Sequence, residues 1–347
     1  MPISEPTAWG SLPDGRPLHR WTLRNARGTR VDISDLGATL LSWQSPDRQG
    51  QLGEVVLGHP DAAHYLSASA FMGGIVGRWA NRIRGGRFCL DGIEHKVDRN
   101  DGDNHLHGGH DGFHARRWDV ERDGEALCMS LVSPEGDGGF PGEVQVKLRV
   151  ALGDDGALEL RYEATTDAPT PFSVTAHPYF NLNDRRPDIR DHVIRIDAEE
   201  FLATDEQAIP VERRHVSGTA FDFREPAPIG SRLHWPDAQL RVAGGFDHCY
   251  IPHGTALGTP RVVAVVTEPW SGRRLTVETD RAGLQFYSGQ KLTGQVNRDG
   301  HPYAAFAGFA LEAQAFPDQV NSPLAEAAIL RPGTPYRQLT RYRLDTL

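Results

Sequence analysis

The stretch Val144-Gln145-Val146-Lys147-Leu148-Arg149-Val150-Ala151-Leu152 alternates apolar and polar side chains, and Leu158-Glu159-Leu160-Arg161-Tyr162-Glu163 does so again after Asp154-Asp155-Gly156. A period of two sends successive side chains to opposite faces of an extended chain, so each run reads as a half-buried strand. The acidic-glycine segment between them is turn chemistry, and the whole reads as an antiparallel hairpin. The same pattern recurs outward in both directions. Upstream, Arg87 to Val97 repeats it around Asp91-Gly92, and Leu127, Met129 and Leu131 alternate once more. Downstream, Val262 to Val266, Leu275 to Glu278 and Tyr342 to Leu344 read as further strands. Helical periodicity is scarce: Asp61 to Tyr65 and Leu324 to Leu330 read as short helices. The polar segment Asn183 to Arg190, with Pro187, reads as an exposed loop. No βαβ alternation is present, which argues against Rossmann and TIM-barrel architectures. No internal repeat points to a propeller or solenoid. One large antiparallel all-β domain over residues 1–347 is the simplest account.

The composition agrees. Apolar residues make up 39% and charged residues 24%, as in a soluble globular chain with a sizeable core. The 37 glycines and 24 prolines suit many strands broken by many turns. A net charge of −9 repels a phosphate backbone, so nucleic acid is not an expected partner. The four arginines between Arg78 and Arg87 are interrupted by Asn81, Gly85 and Gly86. Cys89, Cys128 and Cys249 are odd in number and lack CxxC spacing, which suggests neither a disulfide framework nor a zinc knuckle. A reducing, cytoplasmic setting is expected. Met1 to Trp9 has no basic start and no apolar centre, so a secretory signal is not expected. No apolar run of about 18 residues predicts a membrane span.

Four clusters gather polar side chains among glycines, prolines and aromatics, as strand-end sites do. They are Gly77-Arg78-Trp79-Ala80-Asn81-Arg82-Ile83, Asn104-His105-Leu106-His107-Gly108-Gly109, Thr175-Ala176-His177-Pro178-Tyr179-Phe180-Asn181-Leu182 and Leu311-Glu312-Ala313-Gln314-Ala315-Phe316-Pro317-Asp318. His105, His107, His110 and His114 invite a zinc reading. No glutamate follows at ligand spacing and Gly108-Gly109 breaks the strand, so no metal is expected and His105, His110 and His114 read as exposed loop histidines. Acid–base chemistry is the better reading. An imidazole, with an ordinary pKa of about 6.5, exchanges protons near neutrality, and a carboxylate reaching the same ligand supplies the opposite partner. His177, held extended by Pro178, and Glu312, set among apolar neighbours, are the candidates. The bland alternatives are a satisfied core histidine and a structural ion pair of Glu312 with an arginine.

These clusters, with Phe246-Asp247-His248 and Gln285-Phe286-Tyr287, resemble the aldose 1-epimerase (galactose mutarotase) family over most of the chain. Each marker is short, but together and in this order they are specific. The resemblance implies a large antiparallel β-sandwich with the sugar in an open cleft. It implies Glu312 as general base, His177 as general acid and His107 as a second histidine near the ring oxygen. Asn81, Arg82, Asp247 and Gln285 match sugar-binding positions. No cofactor is implied, and the partner is a free monosaccharide, bound by a monomer or homodimer. Pro178, Ala176 and Trp79 depart from residues common in the family and bear on substrate preference; galactose, glucose, xylose and arabinose are all candidates. Three rival readings stand beside it. A non-catalytic carbohydrate-binding protein does not need Glu312 and His177 together. A glycosidase needs two flanking carboxylates, for which Glu312 and Asp247 are available. A hexose-6-phosphate 1-epimerase asks for a denser basic pocket than Arg82 supplies.

Overall fold

In the computed structural model, residues 3–254 and 258–347 are described, and most of the strands lie in three large antiparallel sheets, whereas the run from Arg87 forms a two-stranded sheet of its own, Arg87–Leu90 with Ile93–Lys96. The hairpin of Val144–Leu152 and Ala157–Thr166 pairs Leu148 with Tyr162 and forms part of a nine-stranded sheet. The last strand of the chain, Tyr336–Thr346, inserts in the middle of that sheet, between Ala157–Thr166 and Arg273–Thr279. The first strands, Thr7–Ser11, Pro17–Arg24, Arg30–Ser34, Leu40–Pro46 and Leu52–Glu54, form a second sheet in simple sequence order. The third, in the order Pro210–His215, Ala198–Thr204, Asp247–Pro252, Gly283–Tyr287 and Ala310–Gln314, places Asp247, Gln285 and Glu312 on neighbouring strands.

One apolar cluster joins the three sheets. Trp21, Val31 and Trp43 come from the first strands, Leu148, Tyr162 and Tyr342 from the nine-stranded sheet, and Phe201, Phe286 and Leu311 from the third. Sheets packed face to face through such side chains make a β-sandwich. Among the described residues only three short helices occur, Ala62–Ser67, Ile229–Leu233 and Ala238–Ala243. The first is the expected one, capped by Asp61, whose Oδ1 accepts from His64 N. The other two were not anticipated, since each is too short to show a period.

Two local expectations are corrected. Leu324 to Leu330 is not a helix: a single 3₁₀ turn, Ala325–Ala328, gives way to a strand, Ile329–Leu330, paired with Thr170–Pro171. A run this short gains little as an isolated helix, and the pairing offers it hydrogen bonds instead. Asn183 to Arg190 is irregular but not wholly exposed. Asn183 and Ile189 are buried, and Asp184 pairs with the buried Arg273 at 2.9 Å.

Ala310–Gln314 is an edge strand, with one row of peptide groups left over by the ladder. The nine-stranded sheet covers that row. Tyr342 donates its hydroxyl to Leu311 O (2.9 Å) and Gln338 donates Nε2 to Ala313 O (3.1 Å). Ser173 Oγ accepts from Ala315 N just beyond the strand. These bonds flank Glu312 on both sides. Tyr342→Phe leaves a buried carbonyl unpaired, and urea unfolding should show a loss of about 1–3 kcal/mol. An unchanged midpoint would show that the hydroxyl is dispensable.

Candidate active site

The register of the third sheet sets Glu312 opposite Gln285 and Asp247 opposite Tyr287. Alternation along each strand then puts Glu312, Gln285 and Asp247 on one face. His177 reaches the same place from elsewhere. It follows the strand Thr175–Ala176, and a tight turn from Phe71 to Gly74 grips its backbone: His177 N donates to Gly74 O (3.0 Å) and Gly73 N to His177 O (2.8 Å). Gly73 adopts φ +71°, and a side chain there would collide with Leu40 O, so glycine is required. The outcome is His177 Nε2 at 3.6 Å from Glu312 Oε1, with side chains 5% and 2% exposed. No arginine pairs with Glu312 among the described residues, so the bland ion-pair reading of it does not hold.

The first and second clusters meet in a reciprocal clasp. Asn81 N–H donates to His107 Nδ1 (3.1 Å), and His107 N–H donates to Asn81 O (3.2 Å). Both residues hold positive φ, +67° and +52°, backbone that other contacts must stabilise. Asn81 Oδ1 accepts from Arg82 N, and Arg82 Nε bonds Asp101 Oδ2 at 2.8 Å. The fourth cluster anchors the first: Asp318 N donates to Arg82 O, and Asp318 Oδ1 accepts from Arg84 N.

Together these elements wall a cleft of about 300 Å³. Asn81, Arg82, His107, His177, Asp247 and Glu312 all line it. Gln285 does not; it lies buried behind Asp247 and donates Nε2 to its Oδ1 (2.8 Å). Tyr179, Tyr287, Phe71, Asp101 and Lys291 also line the cleft and were not singled out from sequence. The two tyrosines sat unremarked inside quoted motifs. Asp101 lies in a polar run with no periodicity, and only its bond to Arg82 marks it.

The remaining members of the motifs are structural. His105 is fully buried, not an exposed loop residue: its Nδ1 bonds Asp98 O (2.9 Å) and its Nε2 accepts from Gly108 N (3.1 Å). It thus braces the turn that aims His107. His114 is half-buried with its ring against Phe71, whereas His110 is exposed as expected. Arg78 is buried away from the cleft, held by the Ser133, Pro134, Pro141 and Gly142 carbonyls.

Burial dominates the electrostatics. It pushes the Glu312 carboxyl well above the usual range, with the Asp247 carboxylate adding to the rise and Arg82 opposing it. It pulls His177 down to about 4, against the pull of Asp247. His107 is likewise held well below its ordinary value by burial, then by His177 and Arg82. Burial thus favours the uncharged form of each group. Glu312 Oε2, His177 Nδ1 and Gln285 Oε1 are buried without a protein partner among the described residues.

His107, His177 and Glu312 each place a ligand-type atom within 4.8 Å of the others, which invites a metal reading. The hydrogen bonds argue against it. A metal-bound imidazole donates its second N–H to an acceptor. In His107 the second nitrogen, Nδ1, instead accepts from Asn81 N–H, so the proton of the neutral ring sits on Nε2. That nitrogen is a donor, and the trio offers two lone-pair ligands rather than three.

Residues 19–343 match the family model described as aldose 1-epimerase. The chain is 39% identical over 335 residues to an aldose 1-epimerase of Escherichia coli, covering 95% of this chain and 96% of that one. It is 39% identical over 341 residues to a galactose mutarotase of Bos taurus, with 97% of each covered. A solved galactose 1-epimerase from Lactobacillus acidophilus superposes with a TM-score of 0.85 at 29% identity, over 100% of this chain and 99% of that one. With a match over nearly its whole length and the buried carboxylate–imidazole pair in place, the chain belongs to the aldose 1-epimerase family, isomerases that interconvert sugar anomers.

Proposed function

We propose that this aldose 1-epimerase interconverts the α and β anomers of a free aldose in the cleft between Glu312 and His177, as a single domain of residues 1–347. The observation that carries the assignment is the approach of these two buried groups to 3.6 Å, close enough for one sugar to bridge them at its anomeric centre. A cyclic aldose changes anomer by opening. One proton leaves the C1 hydroxyl, one arrives at the ring oxygen, and the bond from C1 to that oxygen breaks. Glu312 takes the first proton and His177 gives the second. Rotation about C1–C2 turns the other carbonyl face inward, and reclosure reverses both transfers.

This assignment needs Glu312 ionised and His177 protonated, whereas burial alone favours the neutral pair. The two forms hold the same number of protons. Asp247 draws His177 toward its cation, while at Glu312 Arg82 favours the anion and Asp247 opposes it. Sugar hydroxyls donating to Glu312 Oε2 supply the rest. His107 Nε2–H and Arg82 stand ready as donors to the oxygen that gains charge. Asp247, held by Gln285, accepts from ring hydroxyls, and Asn81 adds a further polar contact. Tyr179 and Tyr287 keep their protons, because burial raises both phenols, and so serve as neutral donors. The substrate is uncharged, which suits a cleft where Arg82 is already engaged with Asp101. The chain's three cysteines are free, and among the described residues no helix is long and apolar enough to cross a membrane. A reducing, cytoplasmic setting and a monomer or homodimer complete the proposal.

Each positioned proton transfer is worth about 10²–10⁴ in rate. Glu312→Gln and His177→Asn should each lower kcat for galactose or glucose by about 10² or more with the fold intact, as read by polarimetry and circular dichroism. A purified, folded variant with near-normal mutarotation would remove that residue from its role. The pH profile of kcat/KM gives an independent check. Below about 4 both groups are protonated and no base remains; above the raised value of Glu312 neither is and no acid remains. After subtraction of buffer catalysis, the profile should be a bell with its acid limb near pH 4 and its alkaline limb well above the ordinary carboxyl range. An alkaline limb near 4.5 contradicts the scheme. Because His107 presents a donor, EDTA should leave the rate unchanged; loss in EDTA restored by zinc would reinstate a metal.

A further inference from the structure

A second cavity, of about 310 Å³, opens on the same sheet face one side-chain step beyond Glu312. Its walls include Gln314, Arg213, Arg281, Phe172, Phe316 and Tyr336. Gln314 shares the face of Glu312, two residues along the strand Ala310–Gln314. It is 0% exposed, yet neither Oε1 nor Nε2 has a hydrogen-bond partner among the described residues. Gly283, its register partner, has no side chain to offer. A buried carboxamide with both ends unmade is uncommon in a folded protein and calls for an explanation.

Charge supplies the second observation. No aspartate or glutamate lines this cavity, in a chain of net charge −9. Arg213 is exposed at the rim and pairs with no carboxylate among the described residues; its guanidinium rests 5.6 Å from the Phe316 ring centre. Arg281 lies across from it over Tyr336, at 5.1 Å, and is bonded to Asp280. The walls thus hold one free guanidinium, a second that is partly neutralised, and a deeper group that both donates and accepts.

We propose that this cavity binds a small hydroxylated organic anion of monosaccharide size. Its oxyanion would meet the fork of Arg213, with Arg281 behind, because guanidinium geometry matches carboxylate and phosphate oxygens. A pair of its hydroxyls would satisfy Gln314, one accepting from Nε2 and one donating to Oε1. A phosphorylated sugar and a sugar acid both present this chemistry. Glu312 plays no part in it, and the proposal stands apart from the mutarotase mechanism.

Isothermal titration calorimetry on the intact protein tests it, with glucose 6-phosphate, gluconate and inorganic phosphate as probes. At least one organic anion should bind, and which of the two does so identifies the source. Arg213→Met, a surface change that spares the core, should weaken that binding by roughly tenfold or more. Gln314→Leu, checked for folding by circular dichroism, should weaken the organic anion but not inorganic phosphate. Arg82→Met should leave the binding unchanged. The proposal fails if no organic anion binds the wild type more tightly than Arg213→Met. It also fails if inorganic phosphate binds as tightly as the organic anions, or if Arg82→Met alone abolishes binding, which puts the anion in the first cleft.

Discussion

A carboxyl and an imidazole, both dry and 3.6 Å apart, are the constraint around which this molecule is arranged. Neither group would choose such a place alone. Burial penalises the charge on each, and their own attraction does not fully offset the lost hydration. What keeps them there is a scaffold of hydrogen bonds on the strands and turns that carry them. Burial moves the two groups in opposite directions, the carboxyl toward holding its proton and the imidazole toward losing one, and a bound hydroxyl and ring oxygen can redirect that balance.

The scaffold achieves this by tying segments remote in sequence. Glu312 stands on an edge strand whose spare carbonyls are claimed by Tyr342 and Gln338 from the other layer. An edge that is capped by side chains cannot slide, and it is not open to another chain. His177 is held by the turn at Gly73, and His107 by its exchange of hydrogen bonds with Asn81. Asp318, six residues after Glu312, closes the circle by gripping the backbone on both sides of Ile83. Segments separated by as many as 234 residues therefore act as a single positioning device.

The same clasp also decides what the cleft can hold. Because His107 receives a hydrogen bond at Nδ1, its inner nitrogen is a donor, suited to a sugar oxygen and unsuited to a cation. Arg82 is tethered by Asp101 and so gives directional hydrogen bonds while much of its charge is spent. Aromatic rings complete the wall: Phe71 lies near His107 and His177, and Tyr179 packs on His177, keeping water from the imidazoles.

Much of this was open to reading in the linear chain. Alternation of Val144 to Leu152 and Leu158 to Tyr162 is a local consequence of the pleat, so strands, the hairpin and the all-β class could be inferred residue by residue. The four clusters could be picked out because polar side chains among glycines stand apart from a core pattern, whereas Asp247 was marked only by the family resemblance. Other features had no local signal. His105 and His107 look alike two positions apart, yet one is a brace and the other faces the cleft, and only the hydrogen-bond partners at Asp98, Gly108 and Asn81 tell them apart. Gln285 looked like a sugar contact but stands behind Asp247, since register, not residue type, sets depth. Leu324 to Leu330 had helical spacing and became a turn and a strand once Thr170–Pro171 was available to pair. The sequence by itself determined the kind of structure and the kinds of chemistry, because periodicity and side-chain type are local properties. Tertiary structure alone decided which groups meet, how dry they are and which nitrogen carries the proton, because those depend on partners distant along the chain.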